Sequence, residues 1–301
     1  MYNGNKLSPF LKGVLVVGFL FLYIPILSLI VYSFNESKLV TLWGGFSLRW
    51  YASLFENEQI ISAVWLSIRI ALASATAAVV LGTIAGFVSA RFKRFRGSTL
   101  FAGMLTAPMV MPEVITGLSM LLLFISLQQL TGYPSERGFF TIWVGHTTLC
   151  MAYVAVVVRS RLVEMDKSLE EAAMDLGARP LKIFFVITLP LISQAIASGF
   201  LLSITLSLDD LVTTAFLSGP GSTTLPQVIF SKVRLGLNPE INALASITVL
   251  IVGIFVILAN YLMLNSQRKR ERAIAEAMRG DAPVLPSAPV GVEGMGRPGR
   301  A

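Results

Sequence analysis

Residues 168–190 read SLEEAAMDLGARPLKIFFVITLP, a charged, helix-competent segment set between long apolar runs. Ser168 followed three residues later by Glu171 has the spacing of a capping box, so a helix is expected to start there. Leu169, Ala172, Ala173 and Leu176 recur on one helical face. Glu170, Glu171 and Asp175 put negative charge into the first two turns, where the helix macrodipole favours it. Gly177 is the expected left-handed stop. Pro180 suits the first turn of a second helix, Pro180–Ile187, whose Leu181, Phe184, Phe185 and Ile187 can lie against a membrane surface. On these signals alone the segment is a capped helix-turn-helix joining two membrane spans.

The flanking chain requires a membrane. Of its 301 residues 54% are apolar and only 14% are charged, with a mean hydropathy of +0.73, far from the usage of a soluble domain. Crossing a bilayer takes about 20 apolar residues. Runs of that kind are Leu11–Phe34, Ile60–Ala90, Leu100–Leu127, Phe140–Val158, Leu191–Leu217 and Ile241–Leu264, which predicts an all-α membrane protein of six helices. Residues 1–10 precede the spans, 11–266 form the membrane domain with loop 168–190, and 267–301 comprise a basic helix followed from Asp281 by an aperiodic Pro, Gly, Ala and Val tail of disordered type. Basic residues orient the spans. Lys6 and Lys12, Arg91 to Arg96, Arg159 to Lys182 and Arg268 to Arg272 occupy alternate ends, which puts both termini and loop 168–190 in the cytoplasm. The net charge of +7 is then topological and argues for contact with inner-leaflet lipid and not with nucleic acid. The first apolar run lacks a small-residue cleavage signature and reads as a retained span.

Polar residues inside apolar runs are the functional candidates, because an ionised side chain at that depth costs ~2.5 to 3.5 kcal/mol on insertion scales. Glu113 follows Pro108 and Pro112 near the middle of the third run. Prolines free backbone carbonyls that can line a cation path, whereas a protonated carboxyl, or one paired with Arg69, would serve packing alone. Ser207-Leu208-Asp209-Asp210 adds two acids to the fifth run. Adjacent helical positions point about 100° apart, so one aspartate can line a path while the other binds a neighbouring helix. His146, the only histidine, is expected to make a hydrogen bond between helices, and Ala75, Ala78, Gly82 and Gly86 allow close helix approach. Trp50 stands among aromatics of the first outer loop. Such residues anchor the interface, although an open indole face can also hold an ammonium group. Lys232 and Arg234 in the outer loop 218–240 read as solvated charges that could meet acidic groups of a partner. Gly219-Pro220-Gly221 there lacks phosphate-loop spacing and is expected to turn into a short interfacial helix. With one histidine, one cysteine and no nucleophile motif, no catalytic constellation is present.

Glu171-Ala172-Ala173, three residues, Gly177, nine residues, then Ile187-Thr188-Leu189-Pro190 resembles without a gap the cytoplasmic "EAA" loop of ABC importer permeases. The likeness narrows through Tyr32-Ser33-Phe34-Asn35, Arg49-Trp50-Tyr51, Met111-Pro112-Glu113-Val114-Ile115-Thr116-Gly117, Ser207-Leu208-Asp209-Asp210 and Asn238-Pro239-Glu240-Ile241-Asn242-Ala243. These strings are similar to the permeases of bacterial spermidine and putrescine importers, and within them most to the second permease of a putrescine system. The resemblance implies a binding-protein-dependent ABC permease fold and a heterodimer with a related permease. It also implies two copies of an ATPase, which carry the ATP and Mg, and a periplasmic polyamine-binding protein. No cofactor is implied on this chain. It assigns a substrate path to Trp50, Glu113, Ser207, Asp209 and Asp210. Coupling falls to Ser168, Glu170, Glu171, Ala172, Ala173, Asp175 and Gly177. Glu113 departs from the family, whose members often carry Asp at that position.

A diamine must bring two charges into the bilayer. One carboxylate at ~4 Å in an effective dielectric of ~20 returns about 4 kcal/mol, comparable to the cost of entry. The competing readings are an ABC permease for another substrate, such as iron or an amino acid, and a proton-coupled carrier in which the three acids relay protons. The carrier reading leaves the 168–190 string without a role.

Overall fold

Small residues on one face of the second span determine the centre of the fold. In a computed structural model that describes residues 8–39, 42–92, 95–236 and 239–280, helix α3 (Glu58–Arg91) packs along α6 (Phe139–Glu164). Ala71, Ala75, Ala78, Gly82 and Gly86 of α3 are all buried. The backbones are so close that a Cβ on Gly82 would stand 2.7 Å from Val154 Cβ and 2.9 Å from the Met151 carbonyl oxygen. Lipid is as apolar as these side chains, so association rests on van der Waals contact and not on exclusion of water. Ala78, Ala90, Cys150, Val154, Val158, Leu162 and Ile192 form the core at one end, and Ile70, Phe124, Ile142 and Leu217 a second core at the other.

Around this pair lie α1 (Pro9–Tyr32), the short α2 (Arg49–Glu56), α4 (Ser98–Val110) and α5 (Glu113–Thr131). They are followed by α7 (Ser168–Asp175), α8 (Pro180–Ile183), a π turn (Phe184–Thr188), α9 (Leu189–Leu191), α10 (Ser193–Asp209), α11 (Val212–Leu217), α12 (Leu225–Leu235) and α13 (Pro239–Gly280). The π turn has a local cause: Pro190 has no amide hydrogen for the Val186 carbonyl, and the chain widens so that Leu189 N–H bonds to the Phe184 carbonyl. None of the residues of α1 is buried within this chain. Chain contacts divide the molecule after Ala245: residues up to there form one compact unit, and the remainder of α13 belongs to a second.

Five helices among the described residues are long and apolar enough to cross a membrane, and a sixth span results if Pro180–Leu191 and Ser193–Asp209, bent by 68°, count as one. Two of the expected continuous runs are interrupted. Leu100–Leu127 divides at Met111-Pro112 into α4 and α5, because proline disfavours helical geometry at the residue before it, and Met111 is extended at ψ 138°. Leu191–Leu217 divides at Asp210, also extended at ψ 114°, into α10 and α11. The tail from Asp281, and Lys6, Lys93, Arg94 and Asn238, lie outside the described residues.

Candidate functional site

Loop 168–190 forms the exposed helix α7, none of whose residues is buried. Its end is built as expected. Gly177 sits at φ 81°, its N–H bonds to the Met174 carbonyl at 2.8 Å, and Ala178 N–H reaches back to the Ala173 carbonyl at 3.0 Å, the paired closure of a Schellman stop. Its start differs from the expected capping box. Lys167 is already helical (φ −74°, ψ −20°), so Ser168 is the first residue of the helix and its hydroxyl does not cap. Asp166 Oδ1 accepts the Ser168 N–H at 3.0 Å instead, a stronger acceptor that also adds negative charge at the positive end of the dipole. This bond holds the Asp166 carboxyl below its usual value of 3.8. Because the folded value is the lower one, the contribution to α7 is present above the ordinary carboxylate range and is lost as pH falls through the lowered value.

The predicted coupling residues fall on two sides of α7. Glu171, Ala172, Asp175 and Gly177 are exposed, as are Leu169 at 50% and Leu176 at 89%, and Ala173 is half-buried. Glu170 is turned inward, where its Oε1 accepts from Arg91 Nη2 at 2.9 Å and from Thr188 Oγ1 at 2.8 Å. It therefore anchors the helix and is absent from its free face. The second helix, expected as Pro180–Ile187, is helical only to Ile183 before the π turn. Leu181 and Phe185 are exposed there, and Phe184 and Ile187 half-buried.

The membrane acids separate in the same manner. Asp210 is buried at the end of α10, where its Oδ1 accepts the Thr214 N–H at 3.0 Å and its Oδ2 lies 3.7 Å from His146 Nε2. His146 spans from α6 to both segments, with Nδ1 2.7 Å from Ser207 Oγ and Nε2 2.9 Å from Thr214 Oγ1. Ser207, Asp210, Thr214 and His146 thus form one buried polar network that satisfies the backbone freed by the break between α10 and α11. Ser207 and Asp210 are both engaged in that network. Asp209, one residue earlier, is exposed, as is Glu113 on the first turn of α5, and neither has an ion-pair partner among the described residues. Arg69 stacks over the Phe139 ring at 5.3 Å and does not neutralise Glu113. The two interrupted spans adjoin. Phe216 of α11 packs so tightly on Gly117 of α5 that a Cβ there would meet its ring at 2.7 Å, and Gly117 lies one turn beyond Glu113 on the same face of α5.

Trp50 does not offer an open aromatic face. It is 8% exposed, its indole N–H donates to the Asn35 carbonyl at 2.7 Å, and the Arg49 guanidinium already lies 4.5 Å over its ring. Both the polar edge and one face of the indole are thus engaged within this chain. Lys232 is likewise not a free charge, since its Nζ pairs with Glu240 Oε2 at 2.9 Å, while Arg234 stacks on Phe230 at 5.2 Å. Loop 218–240 does turn into a helix as expected, with Thr224 N–H bonded to Gln227 Oε1 at 3.1 Å at the start of α12. Arg91, in sequence one basic residue among several at a span end, is the partner of Glu170, and its position on the last turn of a long apolar helix is the one signal of this that the sequence carries.

The structure is a bundle with two interrupted spans, acids without ion-pair partners among the described residues at the interruptions, and an exposed helix between spans. Residues 78–272 match the family described as binding-protein-dependent transport system inner membrane component, and the chain belongs to that family. It is 59% identical over 273 residues to the putrescine transport system permease protein PotI of Escherichia coli K12, covering 91% of this chain and 97% of that protein. It is 38% identical to the spermidine/putrescine transport system permease protein PotC of the same organism, covering 85% and 94% of the two chains. Among solved structures, a bacterial ABC transporter involved in import of the acidic polysaccharide alginate superposes with a TM-score of 0.66 at 17% identity, covering 83% of this chain and 94% of that one. That likeness bears on the fold alone; family membership and the two relatives make the chain an all-helical, multi-pass ABC importer permease, a transport subunit and not an enzyme.

Proposed function

We propose that this chain carries a polyamine, with putrescine the first candidate, through one half of a translocation path driven by ATP hydrolysis on partner subunits. The observation that carries the reading is the pair of uncompensated carboxylates, Glu113 and Asp209, at the interruptions of two adjoining spans. A cation passing such groups recovers electrostatic energy at each, about 4 kcal/mol per contact at ~4 Å in an effective dielectric of ~20, and two separated acids permit release from one to the next. The names of PotI and PotC support the same substrate class. Asp209 and Glu113 line the path in this reading. Ser207 and Asp210 hold its wall, and Trp50 supports the outer loop. The partners are a second, related permease, two ATPase copies bearing ATP and Mg, and a periplasmic polyamine-binding protein, with the exposed side of α7 (Glu171, Ala172, Asp175, Leu176) seated on an ATPase.

The assembled complex in proteoliposomes should hydrolyse ATP faster when binding protein loaded with putrescine is supplied, and accumulate the diamine. Glu171→Lys should abolish both while the protein remains inserted. Wild-type complex that is indifferent to putrescine, spermidine and related amines would exclude the substrate assignment.

The same reading places both termini and α7 in the cytoplasm. In a Cys150→Ala background, which removes the single buried thiol, cysteines at the exposed Ser135 and Ser168 should react with impermeant reagent from opposite sides of the membrane. Reaction of both from the periplasm refutes the orientation.

A further inference from the structure

Four segments meet at one carboxylate and its partner. Glu170 Oε1, in the first turn of α7, accepts from Arg91 Nη2 at 2.9 Å and from Thr188 Oγ1 at 2.8 Å, and Arg91 Nη1 donates to the Leu162 carbonyl at 3.1 Å. Arg91 is the last residue of α3, Leu162 belongs to the final turn of α6, and Thr188 closes the π turn that leads through α9 to α10. The Leu162 carbonyl is one of the four that a helix leaves without an internal donor, and a guanidinium there also opposes the negative end of the α6 dipole. The side chains of Arg91 and Glu170 are only 10% and 14% exposed, so solvent and salt screen the pair weakly. One turn earlier on the same face of α3, Phe87 meets the Phe184 ring of the π turn edge-on, with centroids 5.0 Å apart.

Because α7 buries none of its own residues, apolar packing holds it to the spans only weakly. Residues 165–167 join it to α6, and Gly177 with the two residues after it joins it to α8. The polar clamp is the attachment that reaches α3, α6 and the π turn together. Stability does not account for a buried ion pair of this kind, as apolar residues of similar volume often serve equally well. We propose that Arg91 and Glu170 are positioning residues for coupling: they bind α7 to α3, α6 and the π turn, so that displacement of α7 reaches α10 and the interruption at Asp209. The inference rests on α7 being the helix that an ATPase moves.

The test is the number of ATP molecules hydrolysed per putrescine transported, measured on the complete complex in proteoliposomes. A purely structural loss removes complex and leaves this ratio unchanged. Arg91→Met combined with Glu170→Met removes both charges and leaves neither one buried alone. Complex should be recovered with the ratio raised about 10-fold, within the range of coupling free energies between sites. Thr188→Val keeps both charges and nearly the same volume, and should raise the ratio about 3-fold. A double variant that assembles and transports with the wild-type ratio overturns the proposal. If the double variant does not assemble, Thr188→Val decides, and an unchanged ratio there overturns it equally. Failure of the polyamine reading would look different, since the wild-type complex itself would then show no response to putrescine.

Discussion

Asp210→Ala should remove most of the assembled protein from the membrane, whereas Asp209→Asn should leave the amount of complex normal and depress diamine uptake. The two aspartates are neighbours in sequence but differ in surroundings. Asp210 is buried, accepts the Thr214 N–H and stands beside His146, so its loss strips a freed backbone amide and an imidazole of a partner at once. Hydrogen bonds to a charged group are each worth roughly 1.5 to 3 kcal/mol, and a group left unsatisfied costs about as much again. Asp209 is exposed and makes no ion pair among the described residues, so its neutral isostere leaves packing unaltered and removes one cation-attracting charge. Forfeiting even about half of a 4 kcal/mol contact would slow transfer more than 10-fold. Membrane fractionation with immunoblotting measures the first effect, and initial rates of labelled putrescine uptake normalised to complex measure the second. Normal protein levels in Asp210→Ala, or full uptake in Asp209→Asn, would count against these assignments.

Gly82→Leu should abolish accumulation of folded protein. The space for a Cβ is already closed by Val154 Cβ at 2.7 Å and the Met151 carbonyl oxygen at 2.9 Å, and a backbone oxygen cannot rotate aside as a side chain tip can. α3 would have to withdraw from α6 over much of the central contact. Overpacking of a well-packed core costs typically 1 to 3 kcal/mol, and more where the main chain must move. Gly82→Ala should be tolerated poorly but measurably, whereas Gly13→Leu on α1, where nothing lies within 4 Å, should have little effect on the fold of this chain. Detergent-resistant folding measured by size exclusion of the purified variants distinguishes these cases. Gly82→Leu protein as monodisperse as wild type would show that the α3 and α6 contact does not hold the fold together.

Apolar run length is a property of contiguous residues, and it made the membrane class and a count of five to six spans legible from the chain alone. Gly177 as the helix stop was equally local, because only the conformation of that residue is at issue. The small-residue face of α3 and the hydrogen-bonding role of His146 were legible as types of contact, though without partners. Hydropathy averages over backbone geometry, however, and so did not register that the third and fifth runs break at Met111-Pro112 and at Asp210. Helical geometry implied that Asp209 and Asp210 face different ways, but which of them is buried depends on His146, more than 60 residues away in sequence, being brought to α11 by the packing of α6. Trp50 lost its open face to Arg49 and to a loop carbonyl, Ser168 lost its capping role to Asp166, and Arg91 acquired Glu170 across 79 residues. Residue spacing thus determined which side chains could do chemistry, and tertiary structure alone determined which of them were already engaged, because desolvation and partner geometry belong to the packed molecule and not to the chain.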